Sequence, residues 1–211
     1  MKRSITLIVT LILLLSASAW PLQAQEAKPS GPAAALHQQV ERLFKAGDYE
    51  KAAATLNQII KLQPNDTLAY GRLGITYYQL KHYPEAEKAY RQALRIDPKL
   101  APAYTGLGEV LIITKRYPEA VDAFKKAVQL EPREAMFHKS LAQAYVVMHR
   151  LPEAEKSLKE ALRLNPNDAD GHFGLALMYL DMNNPEAARK EYQVLKTLDP
   201  KLAAELAPKI K

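Results

Sequence analysis

The sequence predicts an all-α protein: a solenoid of five stacked helix–turn–helix units with a short C-terminal cap. Three observations carry this. Prolines recur every 34 residues, at Pro64, Pro98, Pro132, Pro166 and Pro200, and a fixed period of this length marks a stacked array of supersecondary units. Within each period, large apolar residues fall three and four apart in two successive runs, which places them on one helical face. Each unit is too short to bury a core alone, so neighbours have to stack.

The units are 33–66, 67–100, 101–134, 135–168 and 169–202. The first helix of each opens on an aromatic or histidine at Tyr70, Tyr104, His138 and His172, with Leu36 in the first unit. Leu73, Leu107, Leu141 and Leu175 follow three residues later, and then a small residue, Gly74, Gly108, Ala142 or Ala176. A small side chain is required where two helices approach closely. The second helix carries Ala52, Ala86, Ala120, Ala154 and Ala188 in one register, followed four residues on by Leu56, Tyr90, Phe124, Leu158 and Tyr192. That spacing is again an apolar stripe.

The turn between the two helices reads Tyr83-Pro84-Glu85, Tyr117-Pro118-Glu119 and Leu151-Pro152-Glu153. Proline is tolerated in the first helical turn, where its missing N–H costs nothing, and the glutamate complements the positive helix end. The periodic proline then stops the second helix, because the residue before it is pushed out of the α region. In the fifth unit the Pro-Glu pair comes one residue early, at Pro185-Glu186, which puts the geometry of that turn in question. Residues 203–211 read as a cap or tail, with Leu202 and Leu206 one turn apart and Pro208 limiting the helix.

These motifs resemble the tetratricopeptide repeat family over residues 33–202. The resemblance implies antiparallel helix pairs stacked into a right-handed superhelix whose concave face binds a protein or peptide. The first unit departs from the pattern, with Gln39-Val40 where Leu-Gly is expected, as suits a terminal unit with no upstream neighbour.

The first 24 residues have the layout of a signal peptide: Lys2 and Arg3, an apolar run from Ile5 to Leu15, then small residues. Cleavage is expected after Ala24, or alternatively after Ala19, and 25–32 reads as a linker. The chain is therefore expected to be exported, periplasmic or secreted. The alternative is an uncleaved leader that anchors it in the inner membrane, and only then is a membrane a partner. The apolar run is short for a span of about 20 residues. The chain has no cysteine, so neither disulfides nor a lipid anchor on cysteine enters the argument.

The formal charge is +6, and +4 once Lys2 and Arg3 are removed with the leader. Lys88, Arg91, Lys125, Lys126, Lys156, Lys159 and Arg163 read as a solvated outer face. Nucleic acid is not expected as a partner, since basic and aromatic residues do not interleave. No phosphate-cradling glycine loop, nucleophile elbow or close histidine pair is present. His138 and His172 share a register one unit apart, but stacked helices sit about 8–10 Å apart, so packing explains them better than a metal. No catalytic residue, metal ligand or cofactor site is assigned, and the chain is not expected to be an enzyme.

In the family, the concave face is built by first-helix positions off the packing stripe. Carried onto this chain, that gives a groove of Arg72, Ile75, Tyr78, Gln79, Glu109, Ile112, Ile113, Lys139, Gln143, Val146, Val147, Phe173 and Leu177. Tyr78 and Phe173 are the expected anchors, since aromatics dominate interface hot spots. Arg72 and Lys139 are expected to set register by pairing with the partner. Tyr78→Ala with Val146→Asp is expected to abolish capture while leaving the helices intact. The Lys/Arg/Asn set with which some relatives hold a C-terminal carboxylate is not supplied. The function expected is a cell-envelope scaffold or adaptor. Alternatives are a chaperone-like holder of export clients, a membrane-tethered assembly factor, and an accessory subunit of a cell-wall or polysaccharide enzyme. An apolar groove covered by the C-terminal segment (Leu206, Ile210) or by a neighbouring copy is the competing reading.

Overall fold

The computed structural model describes residues 33–210. The expected leader, its cleavage at Ala24 or Ala19, and the linker 25–32 lie outside the described residues. Those residues form eleven α-helices and no strand: α1 (Ala34–Ala46), α2 (Tyr49–Leu62), α3 (Thr67–Gln79), α4 (Tyr83–Ile96), α5 (Ala101–Ile113), α6 (Tyr117–Leu130), α7 (Ala135–Val147), α8 (Leu151–Leu164), α9 (Ala169–Asp181), α10 (Pro185–Leu198) and α11 (Pro200–Leu206). A 3-10 turn, Ala207–Lys209, follows. The helices fall into two compact units, α1–α6 ending at Leu130 and α7–α11 beginning after it. Within each unit, consecutive helices pack against one another.

Capping explains where the helices begin. Asp48, Asp66, Asp168, Asn184 and Asp199 each accept a hydrogen bond from a backbone N–H of the following first turn, the standard N-cap arrangement. Helices α4 and α8 lack a capping side chain and instead carry proline in their first turn. The second helices end at Leu62, Ile96, Leu130, Leu164 and Leu198, two residues before each periodic proline. The fifth turn keeps its register. α10 starts at Pro185, where Tyr83 and Tyr117 start their helices, so the early proline only moves from the second helical position to the first.

The five intra-unit turns share one backbone device. A single residue adopts positive φ at Gly47 (71°), Lys81 (60°), Lys115 (62°), His149 (57°) and Asn183 (56°). The next residue's N–H reaches back to a helix carbonyl five residues earlier, as from His82 to Tyr77 O at 2.8 Å and from Arg150 to Tyr145 O at 2.9 Å. This is the Schellman closure of a helix C-terminus. Left-handed backbone costs a non-glycine residue about 1–2 kcal/mol. Lys115→Gly and His149→Gly are therefore each expected to stabilise the fold by about 0.5–1 kcal/mol, read as a raised Tm. A lowered Tm would mean that the lysine and histidine side chains contribute more than the strain removes.

The core follows a small-against-large rule. In the unit ending at Leu130, the fully buried Phe124 lies against Gly108, and Tyr90 lies between Gly74 and Gly106. A Cβ added at any of these three glycines would come within 2.9 Å of a ring atom. The first repeat reverses the sizes, with Val40 in the register of Gly74 and Leu56 in that of Tyr90, both fully buried. Its departure from the repeat pattern is thus a volume exchange as well as an end effect.

The C-terminal segment closes the second unit. Leu206 is fully buried and Ala203 nearly so, and α11 packs on both α9 and α10. Among the described residues, no helix is long and apolar enough to cross a membrane.

Candidate functional site

In residues 33–130, the sequence-predicted face comes from α3 and α5. Ile75, Tyr78 and Gln79 on α3 and Glu109 and Ile113 on α5 keep partial exposure, whereas Ile112 is buried. Ten of the thirteen residues of α5 are buried, because the helix is apolar almost all round. Tyr78 stands edge-on to Tyr83, with ring centroids 6.0 Å apart. Arg72 does not stand free: its guanidinium donates to Glu41 of α1, so the register-setting role expected of it is already taken by an internal partner. Nearby, His37 and Asp66 are 2.8 Å apart, and both are largely shielded from solvent.

The electrostatics of this face centre on Glu109. Burial pushes its carboxyl up to about 8. It has no hydrogen bond or ion pair among the described residues, and its charge contributes to raising the hydroxyl pKa of both Tyr78 and Tyr90, where burial is the larger cause. Those two hydroxyls are therefore its polar neighbours. Asp66 shows the opposite balance. Burial alone would raise it, but hydrogen bonds from His37 and the Ala69 amide, with the His37 and Arg72 charges, hold it below the ordinary aspartate value.

In residues 131–210 the predicted positions lie on α7 and α9, and most are sunk. Gln143, Val146, Phe173 and Leu177 are all buried, and only Lys139 and Val147 keep partial exposure. Eight of thirteen residues are buried in α7 and eight of thirteen in α9, so each helix is covered well beyond its packing stripe. Val146 lines a cavity of about 20 Å3 with Ala142, Leu158, Gly174 and Met178. Val146→Asp would therefore bury a carboxylate and disturb the fold, contrary to the expectation that it leaves the helices intact. Phe173 is 3% exposed, with the Lys209 ammonium 5.8 Å over its ring. The C-terminal segment thus covers one of the two expected anchors. Lys139 is 2.7 Å from Asp168 and is no more free than Arg72.

The histidines have structural partners. His138 Nε2 meets the Pro132 carbonyl at 2.9 Å, and His172 Nε2 meets the Pro166 carbonyl at 3.0 Å. The repeat-opening position thus tethers the helix to the preceding periodic proline. His172 Nδ1 also meets Glu191 at 2.6 Å. No group of three or more potential metal ligands gathers among the described residues. On the outer faces, Arg116 and Arg91 bracket Glu87, Lys159 pairs with Glu155, and Arg163 pairs with Glu160. Three of the seven residues of the expected basic face, Arg91, Lys159 and Arg163, are therefore paired with carboxylates.

The sequence reading missed the internal partners. Their signal was a separation of 29 residues, which joins His37 to Asp66, Glu87 to Arg116 and Lys139 to Asp168. That is the offset at which one unit reaches the next.

Comparison with known proteins agrees with this architecture. A family model described as the cytochrome c-type biogenesis protein H TPR domain matches residues 89–204, more than half of the chain. A second, described as a tetratricopeptide repeat, matches residues 37–101. No curated protein matches the sequence. Among solved structures, MamA from Desulfovibrio magneticus RS-1 is similar at 22% identity and TM-score 0.74, covering 82% of this chain and 98% of that one. PilF from Pseudomonas aeruginosa is similar at 23% identity and TM-score 0.72, covering 79% and 76%. YrrB, described as a TPR protein with an unusual peptide-binding site, is similar at 21% identity and TM-score 0.68, covering 91% and 99%. With its helix pairs, its 34-residue register and these matches, the chain belongs to the tetratricopeptide repeat family.

Proposed function

We infer that this protein is an exported, non-enzymatic scaffold of the cell envelope that holds a segment of a protein partner on the first-helix face of residues 33–130. The observation that carries the reading is the partly exposed apolar and aromatic surface of Ile75, Tyr78 and Ile113 around Glu109. Tyrosine is among the residue types enriched at interface hot spots, and extended or helical segments use such faces. Membership of an interaction-repeat family supports the same reading, as does the likeness to YrrB with its peptide-binding site. Export rests on the leader: Lys2, Arg3 and the apolar run that follows.

A second reading narrows the pathway. The match of residues 89–204 to the cytochrome c-type biogenesis protein H model favours a partner in that process.

Crosslinked capture from cell envelopes tests both. The native chain is compared with Tyr78→Ala/Ile113→Asp, positions that keep partial exposure, and captured proteins are identified by mass spectrometry. The expected result is one partner captured by the native chain and lost by the variant, with the helical circular dichroism of both unchanged. Many weak partners lost together would make the protein a client holder. Equal capture by both chains would place binding on another surface.

A further inference from the structure

Glu109 is out of keeping with its surroundings. It sits on α5 of a chain carrying a formal charge of +6, yet no arginine or lysine approaches it among the described residues. Two other partly buried carboxylates in the same unit are matched, Glu41 by Arg72 and Glu87 by Arg91 and Arg116. Ile112 and Ile113 follow Glu109 one turn on along α5, and its charge acts on Tyr78 of α3 and Tyr90 of α4. The Tyr90 hydroxyl lies against Gly106, one helical turn before Glu109. A carboxyl left without a charge partner at a partly exposed, apolar place is a cost, and a bound cation would remove it.

Resting on the groove reading above, we propose that Glu109 is the subsite for one lysine or arginine of the bound segment, whose neighbouring apolar residues lie on Ile75, Tyr78 and Ile113. The partner is thus an apolar segment carrying a single positive charge. The choice follows from charge complementarity. An acidic segment would hold Glu109 in its protonated form and gain no charge pairing, and a wholly apolar one would leave the carboxyl unsatisfied.

The proposal has a proton signature. With its carboxyl pushed up to about 8, Glu109 is mostly neutral at pH 7. Docking a cation favours the ionised form, so binding expels a proton. The other titratable groups coupled to Glu109 are the Tyr78 and Tyr90 hydroxyls, with Tyr83 beside Tyr78, and burial together with neighbouring charge raises Tyr78 and Tyr90 well above neutrality. Neither supplies that proton.

The test uses the full chain and a library of acetylated, amidated decapeptides of leucine, valine and alanine. Each peptide carries one fixed lysine, or norleucine at the same position. Lysine peptides are expected to bind about tenfold tighter than their norleucine counterparts. Glu109→Gln keeps the shape and hydrogen-bonding capacity and is expected to erase that ratio while sparing norleucine-peptide binding. Calorimetry at pH 7 in two buffers of different ionisation enthalpy is expected to show proton release on lysine-peptide binding, lost in Glu109→Gln. A lysine preference or proton release that survives Glu109→Gln overturns the proposal and leaves the groove reading standing. Absence of binding by every peptide overturns both. A Glu109→Gln chain that changes its oligomeric state without changing the lysine preference would make a second copy the occupant, and would also overturn it.

Discussion

Gly106→Ala is expected to destabilise the unit ending at Leu130 by about 2–3 kcal/mol, lowering its Tm by about 4–8 °C for each kcal/mol in a domain of this size. The added Cβ would lie 2.4 Å from Tyr90 Cζ and 2.7 Å from its hydroxyl oxygen. A flexible side chain could move aside, but this ring cannot. On its other face Gly74 already approaches closely enough that a Cβ there would lie 2.5 Å from Cε1. Tyr90 is a wedge between α3 and α5, and moving it from one glycine drives it into the other. Replacing a helical glycine by alanine would otherwise stabilise by up to about 1 kcal/mol, so a net loss isolates the steric term.

Two companion variants make the argument exact in its target. Gly106→Ala/Tyr90→Leu should recover part of the loss, giving a coupling energy of at least about 1 kcal/mol in a double-mutant cycle. Gly174→Ala should behave in the opposite way. Its nearest neighbour is Leu158 Cδ2 at 3.7 Å, and it borders the small cavity shared with Val146 and Met178. There the added methyl meets ordinary van der Waals contact. Stabilisation by about 1 kcal/mol is expected from helix propensity alone. If chemical denaturation gave both glycine variants the same sign, the wedge account of Tyr90 would fail.

The periodic part of the architecture was legible in the sequence because it rests on local chemistry. Proline two residues after each second helix, proline in the first turn of α4, α6, α8 and α10, and apolar stripes at three and four spacing all act within a few residues. The left-handed turn positions were not legible. Lys81, Lys115 and His149 give no local sign of positive φ, and only Gly47 and Asn183 carry a residue type suited to it. Those three are held there by the Schellman hydrogen bonds on either side rather than by their own preference.

The candidate face was legible in position but not in depth. A helical register assigns Val146 and Phe173 to one side of a helix. It does not reveal that eight of thirteen residues in each of α7 and α9 are buried, so that those sides are covered too. The internal use of Arg72 and Lys139 was hidden for another reason: their partners, Glu41 and Asp168, stand in other helices. Glu109 was read as one groove residue among thirteen. Its lack of a cation among the described residues emerged only with the partners of Glu41 and Glu87 in place.

Leu206→Ala is expected to cost the second unit about 2–5 kcal/mol, since Leu206 is fully buried in the segment that closes the stack. Removing everything after Asp199 should cost more. It exposes the apolar side of α9, including Phe173, and removes the closing layer a terminal repeat needs. It also releases the Asp199 side chain from the backbone N–H groups of Lys201 and Leu202. The expected readouts are a lower and broader thermal transition, binding of a hydrophobic dye, and loss of amide protection in α9 and α10 before α7. The opposite result has a definite meaning as well. If the truncated chain melts as the full chain does and gains affinity for apolar peptides, the C-terminal segment is a removable cover over a second binding face. Phe173 would then regain the anchoring role that its sequence register suggests. The full burial of Leu206 argues for the cap. A cover that has to leave is held by few contacts, whereas this one packs on both α9 and α10 with Leu206 fully buried.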